Sequence, residues 1–118
     1  MLKLREGMKI LVSIEPIDAR KSIDGLSCLV LETFKANPQL GNLFIFFNKT
    51  RDKVKILYWD KNGFVLHYKR LEKHRFKVPK LDGINQLEIS ETQLHGLLIG
   101  LDFVLMGEYL DINYYQYM

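Results

Sequence analysis

The spacing of hydrophobic positions changes twice along this chain. Lys9 to Ile14 alternates weakly between polar and apolar residues and stops at Pro16. That pattern predicts a short strand, ended by a residue with no amide donor. Ile23, Leu26, Val30 and Phe34, joined by Leu29 and Thr33, then recur at three- and four-residue steps. They form the apolar stripe of a helix over 21–35, which Asn37 and Pro38 terminate. From Asn42 the period falls to two. Leu43 to Phe47, Val54 to Trp59, Phe64 to Tyr68 and Arg75 to Val78 are short runs rich in aromatic and β-branched residues. Polar connections at 48–52 and 60–63 separate the first three, and Asn62-Gly63, both tolerant of positive φ, marks a hairpin.

The hairpin fixes a parity whichever loop length it uses. An odd residue of one strand faces an even residue of the other, so Leu57 and Trp59 share a face with Phe64, Leu66 and Tyr68. Val54, Ile56 and Tyr58 share the opposite face with Val65, His67 and Lys69. Both faces are largely apolar, so each needs cover. The helix over 21–35 supplies one cover. The other is a helix from Glu91 to about Leu101, announced by a capping box, Ser90 with Gln93, and by the stripe Leu94, Leu97, Leu98 and Leu101. The expected fold is α+β, a small antiparallel β-sheet meander packed with two helices. It forms one domain over 1–105, followed by an acidic, tyrosine-rich tail over 106–118.

Composition sharpens this picture at three points. A chain of 118 residues with 47% hydrophobic content fits one core, and its longest apolar runs fall far short of the ~20 residues that span a bilayer. These features point to a cytoplasmic protein without a membrane partner. Cys28 is the only cysteine, which excludes an internal disulfide, and its neighbours Leu26, Leu29 and Val30 make it a candidate core residue. Charge is the third point, because the formal net charge of +3 hides an asymmetry. Residues 49–80 hold eleven Lys and Arg against Asp52, Asp60 and Glu72, a net of +8, and the remainder carries −5. A field this uneven fits a polyanionic partner, since clustered cations gain affinity by displacing counterions from phosphates.

The expected interface consists of Lys49, Arg51, Lys53, Lys55, Lys69, Arg70, Lys73, Arg75 and Lys77 against phosphates, with Tyr58 as the aromatic packed beside them. Arg20 and Lys21, at a helix start, add a further anion contact. Catalytic chemistry finds no comparable support. His67, His74 and His95 match no metal-ligand spacing, and Ser13, Ser22, Ser27 and Ser90 lack a nucleophile-elbow context. Asp18, Asp24, Asp60 and Glu72 are accounted for by caps and turns. We therefore expect no enzyme activity, no metal and no cofactor; the oligomeric state is left open.

Two segments carry a family resemblance. Asp18-Ala19-Arg20-Lys21-Ser22-Ile23-Asp24-Gly25-Leu26 is the first. The second runs from Gly41-Asn42-Leu43-Phe44 through Lys55-Ile56-Leu57-Tyr58-Trp59-Asp60 and Asn62-Gly63-Phe64 to Lys69-Arg70-Leu71-Glu72. Together they resemble the small second-reading-frame protein, often called TnpB, of the insertion sequence 66 family of bacterial transposons. Arg20, Lys21, Asp24, Gly25, Tyr58, Trp59, Asp60, Gly63, Lys69 and Arg70 match its motif. The resemblance implies an accessory role in transposition beside a separate transposase, with the transposon ends and that transposase as partners, and it supplies no catalytic residue. Ala19, Phe47, His74 and Val78 stand where methionine, arginine, glycine and tryptophan are common in the family.

Overall fold

Leu43–Phe47 is apolar at every position and buried at every position, and such a run is stable only with cover on both faces. It forms the middle strand of a five-stranded sheet. The computed structural model describes residue 4 and residues 6–80 and 82–99. Its strands are β1 (Ile10–Ser13), β2 (Leu43–Phe47), β3 (Lys53–Asp60), β4 (Gly63–Arg70) and β5 (Gln86–Ile89), in spatial order β4-β3-β2-β1-β5. Helix α1 (Ile23–Leu29) continues through a wider π turn (Val30–Phe34), and α2 spans Glu91–Leu98. The class is α+β, as the sequence predicts. The tail at 106–118 lies outside the described residues.

The sheet is mixed rather than wholly antiparallel. β2, β3 and β4 form the expected antiparallel meander, but β1 pairs with β2 in parallel, Ile10 opposite Leu43. A parallel pair needs a crossover, and α1 is that crossover. β5, which the sequence pattern does not announce, pairs antiparallel with the free side of β1, Ile10 opposite Ile89. The run Arg75–Val78, expected as a strand, makes no ladder. It belongs to an irregular segment whose Phe76 ring packs 5.4 Å from Phe47, so its apolar alternation serves a side-chain anchor.

Parity along β3 and β4 is as derived: Leu57 faces Leu66, Trp59 faces Phe64, and Ile56 faces His67. On one face Leu26, Val30 and Phe34 of the first helix close over Phe44, Phe46 and Leu57, with Phe34 5.2 Å from Phe44. On the other face Leu94 and Leu97 of α2 and Phe76 close over Ile10, Val12, Ile45, Phe47, Val54 and Ile56. The capping box of α2 is present, with Ser90 Oγ accepting from Gln93 N–H and Gln93 Oε1 accepting from Ser90 N–H.

Cys28 is exposed rather than buried. It lies two residues past Leu26, and at about 100° per residue that carries it to the outer side of the helix, so the apolarity of its sequence neighbours misplaced it. The hairpin loop is Lys61-Asn62: Lys61 adopts φ 53° and Gly63 already pairs with Asp60 as the first residue of β4.

Candidate functional site

The β2–β3 turn is built on one buried amide. Asn48 Oδ1 accepts from the backbone N–H groups of Asp52 (3.1 Å) and Lys53 (3.0 Å), while Nδ2 donates to Asp52 Oδ1 (2.7 Å) and Thr50 Oγ1 (3.0 Å). Thr50 Oγ1 donates to the same carboxylate at 2.7 Å. The bonds from Asn48 and Thr50, and then one that the Lys53 ammonium donates at 3.3 Å, hold the Asp52 carboxyl well below the usual carboxylate range. With the turn rigid, the segment after β4 docks on it. Leu71 N–H donates to Asp52 O, Phe76 N–H to Arg51 O, and the Arg75 guanidinium to Thr50 O.

This docking gathers cations from separate parts of the chain at one end of the sheet. Lys49, Arg51 and Lys53 come from the turn and the start of β3, and Arg70 from the end of β4, directly opposite Lys53. Lys73, Arg75 and Lys77 lie on the docked segment, all exposed. Arg20 and Lys21 join from the loop before α1, which is tied to the same end by Ile17 N–H donating to Phe47 O and by Lys55 Nζ donating to Ala19 O and Lys21 O, each at 2.6 Å.

Several of these charges already have partners. Like charges directly opposite on a sheet repel. Here Lys53 pairs with Asp52 at 3.3 Å and Arg70 with Glu72 at 2.9 Å, so each has its own acid. The Arg20 guanidinium, 91% exposed, grips Asp18 at 2.7 Å and holds that carboxyl well below the usual range. Burial lowers the Arg51 pKa from its ordinary value, and its Nη2 reaches Ile14 O at 3.5 Å. Among the described residues, Lys49, Lys73 and Lys77 make no ion pair.

Two expected interface residues lie elsewhere. Lys69 is on the α2 face, where Nζ donates to Leu98 O at 2.8 Å, a cation at a helix C-terminus. Tyr58 is half-buried on that same face, its ring stacked 5.6 Å from His67 and its hydroxyl 3.3 Å from Nε2. The exposed aromatic at the cationic end is Tyr68, 53% accessible, with Lys55 Nζ 5.6 Å from its ring centroid. The parity derived from sequence already grouped Tyr68 with Leu57, Phe64 and Leu66, the face that α1 covers in the structure, and its register with Lys55 was the signal that could have singled it out.

The remaining motif residues are dispersed. Asp24 is exposed in the first turn of α1, and Gly25 sits where an added Cβ would meet the Lys21 side chain first, at 3.4 Å. Trp59 packs edge-on to Phe64 at 4.9 Å, Asp60 closes β3, and a Cβ at Gly63 would meet open space. Among the described residues there is no group of three or more His, Cys, Asp or Glu that could hold a metal ion, and no helix is long and apolar enough to cross a membrane.

Comparison with known proteins adds three findings. A family model described as IS66 Orf2 like protein matches residues 8–107. The chain is 35% identical over 104 residues to the uncharacterized protein y4jC of Sinorhizobium fredii, covering 87% of each chain. It is 33% identical over 103 residues to the uncharacterized protein y4hO of the same organism, covering 87% of this chain and 89% of that one. No solved structure matches.

Proposed function

The chain belongs to the IS66 Orf2-like family, and from that membership we propose that it is a non-catalytic accessory factor in transposition that binds DNA through the cationic end of its sheet. The supporting observation is the gathering of the turn, the β3 and β4 termini, the 71–77 segment and the loop before α1 at one end. Lys49, Lys73 and Lys77 supply the solvent-facing charge without acid partners there. Cations of this kind bind phosphate by releasing counterions, a sequence-independent affinity that declines with salt.

The test is a gel-shift titration with the element's terminal repeats and with a scrambled duplex, with and without the separate transposase, repeated across salt concentrations. Binding weakens steeply with salt. Replacing Lys73 and Lys77 together by alanine makes the log–log salt slope shallower by roughly 2, one unit for each lost phosphate contact. Lys61→Ala, at the opposite end of the hairpin, leaves the slope unchanged. A flat salt response in the parent protein would overturn the reading.

One observation favours a second reading, a module that binds or activates the transposase. A groove of about 430 Å³ lies between the α2 face of β3–β4 and α2, floored by the buried Val54, Ile56 and Leu94 and rimmed by Leu98 and by Ile99, which is 73% exposed. An apolar rim open to solvent, as at Ile99, marks protein contacts. Co-purification with the transposase from nuclease-treated extract supports this reading; loss of the complex on nuclease treatment supports a DNA bridge.

A further inference from the structure

Along β4 the side chains on the α1 face are Phe64, Leu66, Tyr68 and Arg70 in succession. The first two pack against the cluster built by the first helix. Tyr68 lies beyond that cover, 53% exposed, on an edge strand whose outer flank carries no further strand among the described residues. Its surroundings are ordered. Lys55 stands directly across the ladder with its ammonium 5.6 Å from the ring centroid, and that ammonium is held in turn by the carbonyls of Ala19 and Lys21. At the next rung Lys53 and Arg70 are each fixed by an acid. An aromatic ring left half in water, with one positioned ammonium over it and two salt-bridged cations at the next rung, has the makings of a surface for a planar, phosphate-linked ligand. Every nucleobase offers a π-face for stacking, and the cations meet its backbone. In a duplex those faces are occupied by neighbouring base pairs; in a single strand they are open.

We infer that Tyr68 is a stacking platform for an unpaired base, so that the cationic end of the sheet binds single-stranded DNA in preference to duplex. This inference rests on the DNA-binding reading and names the form of DNA that the site takes. The decisive measurement is fluorescence anisotropy at fixed salt, with a labelled oligothymidylate and a labelled duplex of matched length, on the full chain. The single strand binds more tightly. Tyr68→Ala and Tyr68→Leu weaken single-strand binding by roughly five- to a hundred-fold, the size of one lost base stack, and leave duplex binding within about twofold. Tyr68→Phe keeps the parent affinity for both, which separates stacking from the hydroxyl. Tyr68→Leu retains apolar bulk without a π-face, which separates stacking from hydrophobic cover, and thermal melts check that each variant is folded. Equal affinity for the two probes, with every Tyr68 variant matching the parent, would overturn the platform and leave salt-dependent duplex binding standing. Failure of the parent protein to bind either probe would overturn both.

Discussion

Two rungs of one ladder, on one face of one ribbon, have opposite fates. Trp59 and Phe64 pack edge to face with ring centroids 4.9 Å apart, and Phe64 rests on the cluster built by the first helix. Four residues along each strand, Lys55 faces Tyr68, and the aromatic ring stands half in water. Both rungs pair an aromatic with a large neighbour in the same antiparallel register, so strand propensity does not separate them. What separates them is cover and the neighbour's own commitments. The helix extends over Phe64 and Leu66, whereas the Lys55 ammonium is held over Tyr68 as a charge by two carbonyls of the 19–21 loop. An aromatic on this sheet packs where its cross-strand partner is apolar and the helix cluster reaches it, and stands in water where that partner is a fixed cation.

The sharpest way to break this contrast is to truncate both rungs. Phe64→Ala should lower unfolding free energy by about 2 kcal/mol, below the range for a fully buried phenylalanine because Phe64 is half-buried. Tyr68→Ala should change it by less than about 0.5 kcal/mol, as expected of an exposed position. Urea denaturation of both variants against the parent reads the difference, which should appear as a midpoint shift at constant slope. Equal losses would mean that Tyr68 carries packing and that the two rungs are alike.

Much of the packed rung was legible in the sequence, and little of the cationic end was. Parity follows from a period of two and a short loop, so the sharing of one face by Trp59 and Phe64 and the covering of both faces could be derived from local pattern, while the exact pairing could not. The stripe of the first helix and the capping box of α2 are equally local. By contrast, Lys55 meets its carbonyl partners 36 and 34 residues away and Lys69 meets Leu98 29 residues away, so no count along the chain shows that these charges are already engaged. β5 was missed for the same reason: Gln86–Ile89 is short, and only its distant pairing with β1 makes it a strand. The segment that contains Arg75–Val78 shows the limit from the other side, since the apolar alternation of that run is real and its backbone makes no ladder.

That segment also gives a finer test of the cationic end. His74 adopts φ 67°, a left-handed conformation that costs most residues free energy and glycine almost none. The resemblance drawn from sequence already set His74 where glycine is common. His74→Gly should therefore stabilise the protein by about 0.5 kcal/mol, the relief of left-handed strain less the greater freedom of glycine in the unfolded chain. The melting temperature should rise by about 2–4 °C. A fall instead would mean that the His74 side chain contributes to holding the segment on the turn.

Acid is the mildest probe, and it distinguishes the two ends because Trp59 and Phe64 carry no titrating group. At the turn, hydrogen bonds from Asn48 and Thr50, then Lys53, depress the Asp52 pKa in the folded protein below its unfolded value of 3.8. A depressed carboxyl contributes stability in full above the unfolded pKa and loses it as pH falls through the folded pKa. From neutral pH down to about pH 4 this contribution should stay constant, and below that it should be lost progressively. Asp18, depressed by Arg20, acts with the same sign. Melting curves between neutral and strongly acid pH should show a shallower acid limb in Asp52→Asn than in the parent, because the amide fills the turn without titrating. Thr50→Val, which removes one donor to the carboxylate, should move the Asp52 pKa upward in a side-chain carboxyl NMR titration. If neither the acid limb nor the titration responds, Asp52 is an ordinary surface acid, and the rigidity that presents Lys49, Lys73 and their neighbours must come from Asn48 and the backbone alone.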